Sequence, residues 1–120
     1  MVVPTPEELR ERTKAFALRV IRLYRSSPQA PEAQVMGKQL LRSGTSVAAN
    51  YRATCRARSR AEFAAKLGVV VEEADESMLW LELLADSGVV RRERLNSLQS
   101  EARELTALFT ASRHTTRNCR

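Results

Sequence analysis

Residues 43–90 constrain this chain more than any other stretch. They read as two long amphipathic helices joined by a tight basic turn. The first brings a stripe of small residues to an Asn at a core phase. The second is acidic, yet apolar on more than one side: Phe63, Leu67, Val70, Ala74, Ser77, Leu81 and Leu84 recur at spacings of four and three, and Val69, Val71, Met78, Leu79, Trp80 and Leu83 project elsewhere. One face of a 3.6-residue helix explains the first set. A helix apolar on two sides is buried on two sides, so the pattern predicts a helical bundle that self-associates.

The rest of the chain follows the same period. Thr5-Pro6-Glu7-Glu8 supplies a capping hydroxyl, a proline at the first helical position and a glutamate three residues on. Leu9, Thr13, Phe16, Val20 and Leu23 then share a face, and Ser26-Ser27-Pro28 ends the run. Pro31 opens a second helix whose seam is Met36, Leu40, Ser43, Val47, Asn50 and Thr54. Gly44 inside it costs roughly 1 kcal/mol relative to Ala, which implies that another backbone comes close there. Ser59-Arg60-Ala61-Glu62 forms a second capping box, and Gly88 suits the position after a helix. Leu95, Leu98, Ala102, Leu105, Phe109 and Ser112 make a fourth seam.

The predicted helices span about 5–27, 31–57, 60–87 and 91–113, with residues 114–120 a frayed tail and residues 1–120 one domain. The fold class is all-α. Short connections and heptad-like spacing make an antiparallel up-down-up-down four-helix bundle the natural solution.

Charge is distributed unevenly. The net charge is +6, but residues 59–87 carry seven acids against two bases. The remaining segments are basic, which leaves positive surface for a polyanion. Among the 20 bases arginine far outnumbers lysine, and the guanidinium fork suits phosphate. The candidate nucleic-acid-binding residues are Arg52, Arg56, Arg58 and Arg60 at the turn between helices two and three, Arg91, Arg92 and Arg94 at the start of helix four, and Arg10 and Lys14 on helix one. No aromatic platform interleaves with them, so phosphate contact and steep salt dependence are expected in place of base readout.

Val69, Leu79, Trp80 and Leu83 form a candidate oligomer interface, with Leu18 on helix one as a further member. Asn50 is expected to be a buried polar pin partnered by Glu73 and Glu76, since an unpaired buried amide is costly. The acids Glu72, Glu73, Asp75 and Glu76 suggest ion pairs with Arg42, Arg52 or Arg56. Di-metal bundles need Glu-x-x-His pairs on facing helices, and the one histidine, His114, lies in the tail. Cys55 has no histidine at a predictable position. A disulfide with Cys119 is not expected, and a reduced, cytoplasmic chain is the simpler reading. The start of the chain lacks a signal-peptide pattern, and no uncharged apolar run is long enough to span a bilayer. No catalytic, metal or cofactor site is expected, and the chain reads as no enzyme.

Several runs together resemble a known family. These are the Val-Ala-Ala-Asn end of helix two (residues 43–50), Arg-Ser-Arg-Ala-Glu-Phe (58–63), Glu-Ala-Asp-Glu (73–76), and Trp-Leu-Glu-Leu-Leu (80–84) followed by Gly88. The resemblance, over roughly residues 9–109, is to small bacterial four-helix-bundle proteins related to the 23S rRNA-intervening-sequence protein. That family also includes the accessory variability determinant of diversity-generating retroelements. Many members have an Ile-Ala-Glu-Gly-like run after the Asn; Tyr51-Arg52-Ala53-Thr54 stands there in this chain, as in another branch. The resemblance implies a homopentameric ring, binding to RNA or DNA and, for the retroelement members, a complex with reverse transcriptase. It implies no enzymatic activity.

Overall fold

The computed structural model describes residues 4–118, with side chains through His114. Four α-helices follow one another: α1 (Pro6–Arg25), α2 (Pro31–Thr54), α3 (Arg60–Asp86) and α4 (Arg92–Asn118). Each pairs with the next along most of its length, α1 meets α4 over a much shorter stretch, and neither diagonal pair brings its backbones together. Cross-helix contacts fix the directions. Gly37 and Gly44 face Tyr24 and Val20, Ser43 meets Ser77, and Arg113 reaches back to Ala64. Neighbouring helices are antiparallel, as predicted.

The helix ends have identifiable causes. At α1 the Glu8 N–H donates to Thr5 Oγ1 at 3.1 Å and the Thr5 N–H donates to Glu8 Oε1 at 3.4 Å, a complete capping box. Pro6 has no N–H, so two of the three orphan donors of that terminus are thereby satisfied. At α3 only half of the expected box forms. The Glu62 N–H donates to Ser59 Oγ at 3.0 Å, but the Glu62 carboxylate lies 3.9 Å from Lys66 Nζ.

Two boundaries differ from the sequence pattern. α2 stops at Thr54 and not near 57. The Arg56 and Ala57 N–H groups donate to the carbonyls three residues back, a tighter winding typical of helix ends, and the chain must then reach the extended Ser59 (φ −149°) that caps α3. α4 continues past 113 to Asn118, in place of the expected frayed tail; residues 119–120 lie outside the described part. The Arg113 guanidinium supports that last stretch. It lies over Gly68, where a Cβ would sit 2.9 Å from its Nε, and Nε donates to the Ala64 carbonyl at 3.4 Å.

The seams of α1 and α4 are buried as predicted apart from Ser112, which is half-buried, and so is that of α3 from Leu67 to Leu84. Each large apolar side chain fully removed from water contributes about 1.5–3 kcal/mol. Tyr51 of α2 and Phe109 of α4 meet across the diagonal with ring centroids 5.1 Å apart. Of the expected seam of α2, Leu40, Ser43, Val47 and Thr54 are buried, and the buried face extends to one side of it. Ala33, Gly37, Gly44 and Tyr51 are buried, while Met36 and Asn50 are only half-buried. Gly37 and Gly44 let α1 approach closely, and that approach turns Tyr51 inward in place of Asn50.

The buried polar link between helices is therefore Ser43 with Ser77. Their hydroxyls are 2.9 Å apart with no exposure at either residue. Each also reaches its own helix, Ser43 to the Leu40 carbonyl and Ser77 to the Glu73 carbonyl. Two small hydroxyls satisfy one another where a longer polar side chain would hold the helices apart.

Candidate nucleic-acid interface

Antiparallel packing brings the start of α1, the end of α2 and the start of α3 to one end of the bundle. Two surface grooves open there. The groove between α1 and α2, about 440 Å³, is lined by Arg10, Lys14, Thr45, Ala48, Ala49 and Arg52. That between α2 and α3, about 410 Å³, is lined by Ala49, Arg52, Ala53, Arg56, Arg58, Glu62 and Lys66. Ala49 and Arg52 belong to both and form the ridge between them. Glu62 is the only acid in either lining.

Most of these bases are unneutralised. Among the described residues Lys14, Arg52, Arg56 and Arg58 are exposed and take part in no ion pair. Arg10 lies 3.7 Å from Glu7; a hydrogen bond to Cys55 and the nearby Glu7 hold its guanidinium even more firmly protonated than usual. Arg60, exposed at the first turn of α3, lines neither groove. Lys66, which the sequence pattern does not single out, joins the site from α3. One helical turn after Glu62, it has the signature of an ordinary surface ion pair.

The other predicted arginines sit at the opposite end. Arg91, Arg92 and Arg94 are exposed. Arg92 pairs with Asp86 at 2.9 Å, and Arg94 donates to the Ser26 hydroxyl. There Arg19, Arg22 and Arg94 border a shallower hollow of about 260 Å³ between α1 and α4. Arg19 donates to Ser97 Oγ at 2.8 Å. The three basic clusters read from the sequence are thus gathered into two patches at opposite ends, and at the far end Arg19, Arg22, Arg91 and Arg94 likewise take part in no ion pair among the described residues.

The expected pin of Asn50 with Glu73 and Glu76 does not form. The Asn50 amide donates to the Ser46 carbonyl of its own helix at 2.9 Å. Arg42 takes both acids instead, with Nη1 2.9 Å from Glu73 Oε2 and Nη2 against Glu76 Oε2. Glu76 Oε2 also accepts from Trp80 Nε1 at 3.0 Å. Those two donors, Trp80 first and then Arg42, hold the Glu76 carboxyl below the usual range.

The outer face of α3 carries the candidate interface. Val69, Leu79 and Leu83 are 42%, 47% and 39% exposed, and Trp80 is half-buried beside them. Glu72, Asp75 and Glu82 are exposed on the same helix. Leu18, 40% exposed, lies on the outer face of α1, the helix diagonal to α3, with Lys14, Arg22 and Arg25 exposed on its helix. The two faces point in opposite directions; that of α3 is acidic, while that of α1 mixes those bases with exposed Glu7 and Glu11.

Among the described residues no group of three or more His, Cys, Asp or Glu could hold a metal ion, Cys55 is a free thiol, and no helix is long and apolar enough to cross a membrane.

No curated protein matches this chain. A solved structure of a protein of unknown function from the S23 ribosomal protein family, from Bacteroides thetaiotaomicron VPI-5482, is 35% identical. The alignment covers 92% of this chain and 98% of that one with a TM-score of 0.84. The sequence model described as 23S rRNA-intervening sequence protein matches residues 7–111. Four helices in this arrangement, matched over nearly their whole length, place the chain in the 23S rRNA-intervening sequence protein family.

Proposed function

We propose that this chain is a non-enzymatic, self-associating helical bundle that binds nucleic acid without sequence specificity, as an accessory to a nucleic-acid-processing partner such as a reverse transcriptase. The observation that carries the reading is the Arg52 end: two adjacent grooves with Lys14, Arg52, Arg56 and Arg58 unneutralised and one acid among their lining residues. Phosphate contacts of this kind release counterions, so affinity falls with salt. Four contacts give a slope of about −3.6 in log K against log salt, or roughly a 150-fold loss between 50 and 200 mM. Anisotropy titrations of mixed-sequence DNA and RNA across that range test it; a flat response, or no binding at the lowest salt, overturns it.

Self-association rests on the outer face of α3. Its apolar residues would meet the exposed Leu18 of α1, with Lys14, Arg22 and Arg25 of that helix near its acids, and because these faces lie on diagonal corners the contact is head-to-tail. Such contacts form rings where the rotation closes, and five copies is the number the family resemblance implies. Sedimentation at micromolar concentration, with Trp80 emission as a reporter of burial, tests this; a lone protomer with Trp80 fully hydrated refutes it.

A second reading, a protein-interaction scaffold without nucleic-acid binding, is favoured by the same exposed band on α3. It predicts assembly without any salt-dependent polyanion affinity.

A further inference from the structure

We infer that the polyanion taken at the Arg52 end is B-form duplex DNA, with the C-terminal half of α2 lying along its major groove and one phosphate backbone in each flanking groove of the protein. The inference rests on the nucleic-acid reading above and adds the form of the ligand.

The bases are placed on both sides of a ridge. Arg10 and Lys14 face it from α1, Arg56 and Arg58 from the turn after α2, and Lys66 from α3. The ridge itself is low. Thr45, Ala48, Ala49 and Ala53 line the grooves from α2, and Arg52 stands alone between them as the long side chain. Helices about 10–12 Å across, packed 8–10 Å apart, set the mouths of two adjacent surface grooves roughly 12 Å apart across the helix between them. The major groove of B-DNA is about 12 Å wide and admits an α-helix. A bare ridge can settle into it while the bases on either side meet the bordering phosphates.

Other nucleic acids fit less well. A single strand has one backbone and fills one groove. The major groove of A-form RNA is deep and narrow, closed to a helix. With alanines along the ridge there is little to read base edges, so the preference is for shape and not for sequence. The C-terminal carbonyls of α2 oppose a phosphate, and Arg52 in its last turn and Arg56 just beyond offset them. Self-association through the outer faces of α1 and α3 leaves the α2 corner open.

The test uses the full chain and one sequence of two helical turns, prepared as single-stranded DNA, DNA duplex and RNA duplex, at about 50 mM salt where phosphate contacts dominate. The DNA duplex is expected to bind at least about tenfold tighter than the other two. The double variant Arg10→Ala/Lys14→Ala should lower the salt slope on the DNA duplex by about 0.9, Lys14 being the unpaired base of the two, and Arg56→Ala/Arg58→Ala by about 1.8, each with unchanged helical circular dichroism. Equal binding of single strand and duplex, tighter binding of the RNA duplex, or a slope altered by only one of the two pairs overturns the α2-in-groove arrangement and leaves the general polyanion reading standing. Failure of all three nucleic acids to bind overturns both.

Discussion

Gly44 offers a prediction whose sign is set by one neighbour. Alanine in a helix interior is favoured over glycine by about 1 kcal/mol, so Gly44→Ala should stabilise α2 if nothing else changed. The added Cβ, however, would lie 3.0, 3.2 and 3.3 Å from Cγ2, Cγ1 and Cβ of Val20. Val20 is fully buried, and a β-branched side chain in a helix has one strongly preferred rotamer. Its Cβ cannot move without the α1 backbone. Overpacking of this kind costs about 1–3 kcal/mol, so the net expectation is a loss of about 1 kcal/mol, or about 4 °C in Tm for a domain of this size. Gly37→Ala is the control. Its Cβ would meet Tyr24 Cδ1 at 2.9 Å, but that ring is half-buried and can swing away, giving up its 3.0 Å hydrogen bond to Gln34. Gly37→Ala should be neutral or mildly stabilising. Urea unfolding followed by circular dichroism, at one protein concentration because assembly shifts apparent stability, measures both. In a Val20→Ala background only the 3.3 Å contact with Cβ remains, and Gly44→Ala should become neutral to mildly stabilising, a coupling of about 1–2 kcal/mol. If Gly44→Ala instead raises stability in the wild-type background as much as Gly37→Ala does, close approach of α1 is not why glycine stands there.

Two further outcomes are expected. Tyr51 is held protonated above the usual phenol range, first by burial and then by Cys55; a raised folded pKa means full stability below the unfolded value, near 10, and loss as pH rises beyond it, so Tyr51→Phe should flatten the alkaline fall in urea midpoint, and an unchanged fall rules out this group. Gly88 has φ +77°, and a methyl group added there would meet nothing within 4 Å; Gly88→Ala should therefore cost about 1–2 kcal/mol from backbone conformation alone, and a neutral result in thermal melts shows that the loop relaxes.

The fold is largely legible in the sequence because α1, α3 and α4 announce their buried faces with large apolar residues at four-three spacing. For α2 the pattern finds Leu40, Ser43, Val47 and Thr54 but misses the rest of the face, since Ala33, Gly37 and Gly44 are buried without a strong hydrophobic signal and Tyr51 looks like a surface residue beside Asn50. Small residues mark where backbones approach, and sequence shows their presence but not which helix they admit. The extension of α4 is hidden for a similar reason: it has no cap signal, and its support is Arg113 lying over a glycine 45 positions earlier in the chain. The candidate site is half legible. Arg52, Arg56 and Arg58 are neighbours in sequence, but only antiparallel packing adds Arg10, Lys14 and Lys66 and sends Arg91, Arg92 and Arg94 to the far end. Sequence offers Glu73 and Glu76 to Asn50 and to Arg42 alike; the longer, charged side chain reaches them and the amide turns to its own helix.

The short meeting of α1 with α4 makes the bundle an open clasp more than a closed cylinder. Its fastening is largely ionic and polar: Arg12 reaches Glu101 at 2.7 Å and Glu104 at 3.3 Å, and Arg19 and Arg94 reach serines across the gap. Such links weaken as ions accumulate around them, while the α2–α3 pair keeps its buried Ser43–Ser77 link and apolar seam even where salt loosens Arg42 from Glu73 and Glu76. Native-state amide exchange should accordingly be quickest along the facing flanks of the first and last helices and slowest in the middle pair, so that the molecule breathes along one edge while its opposite edge stays shut.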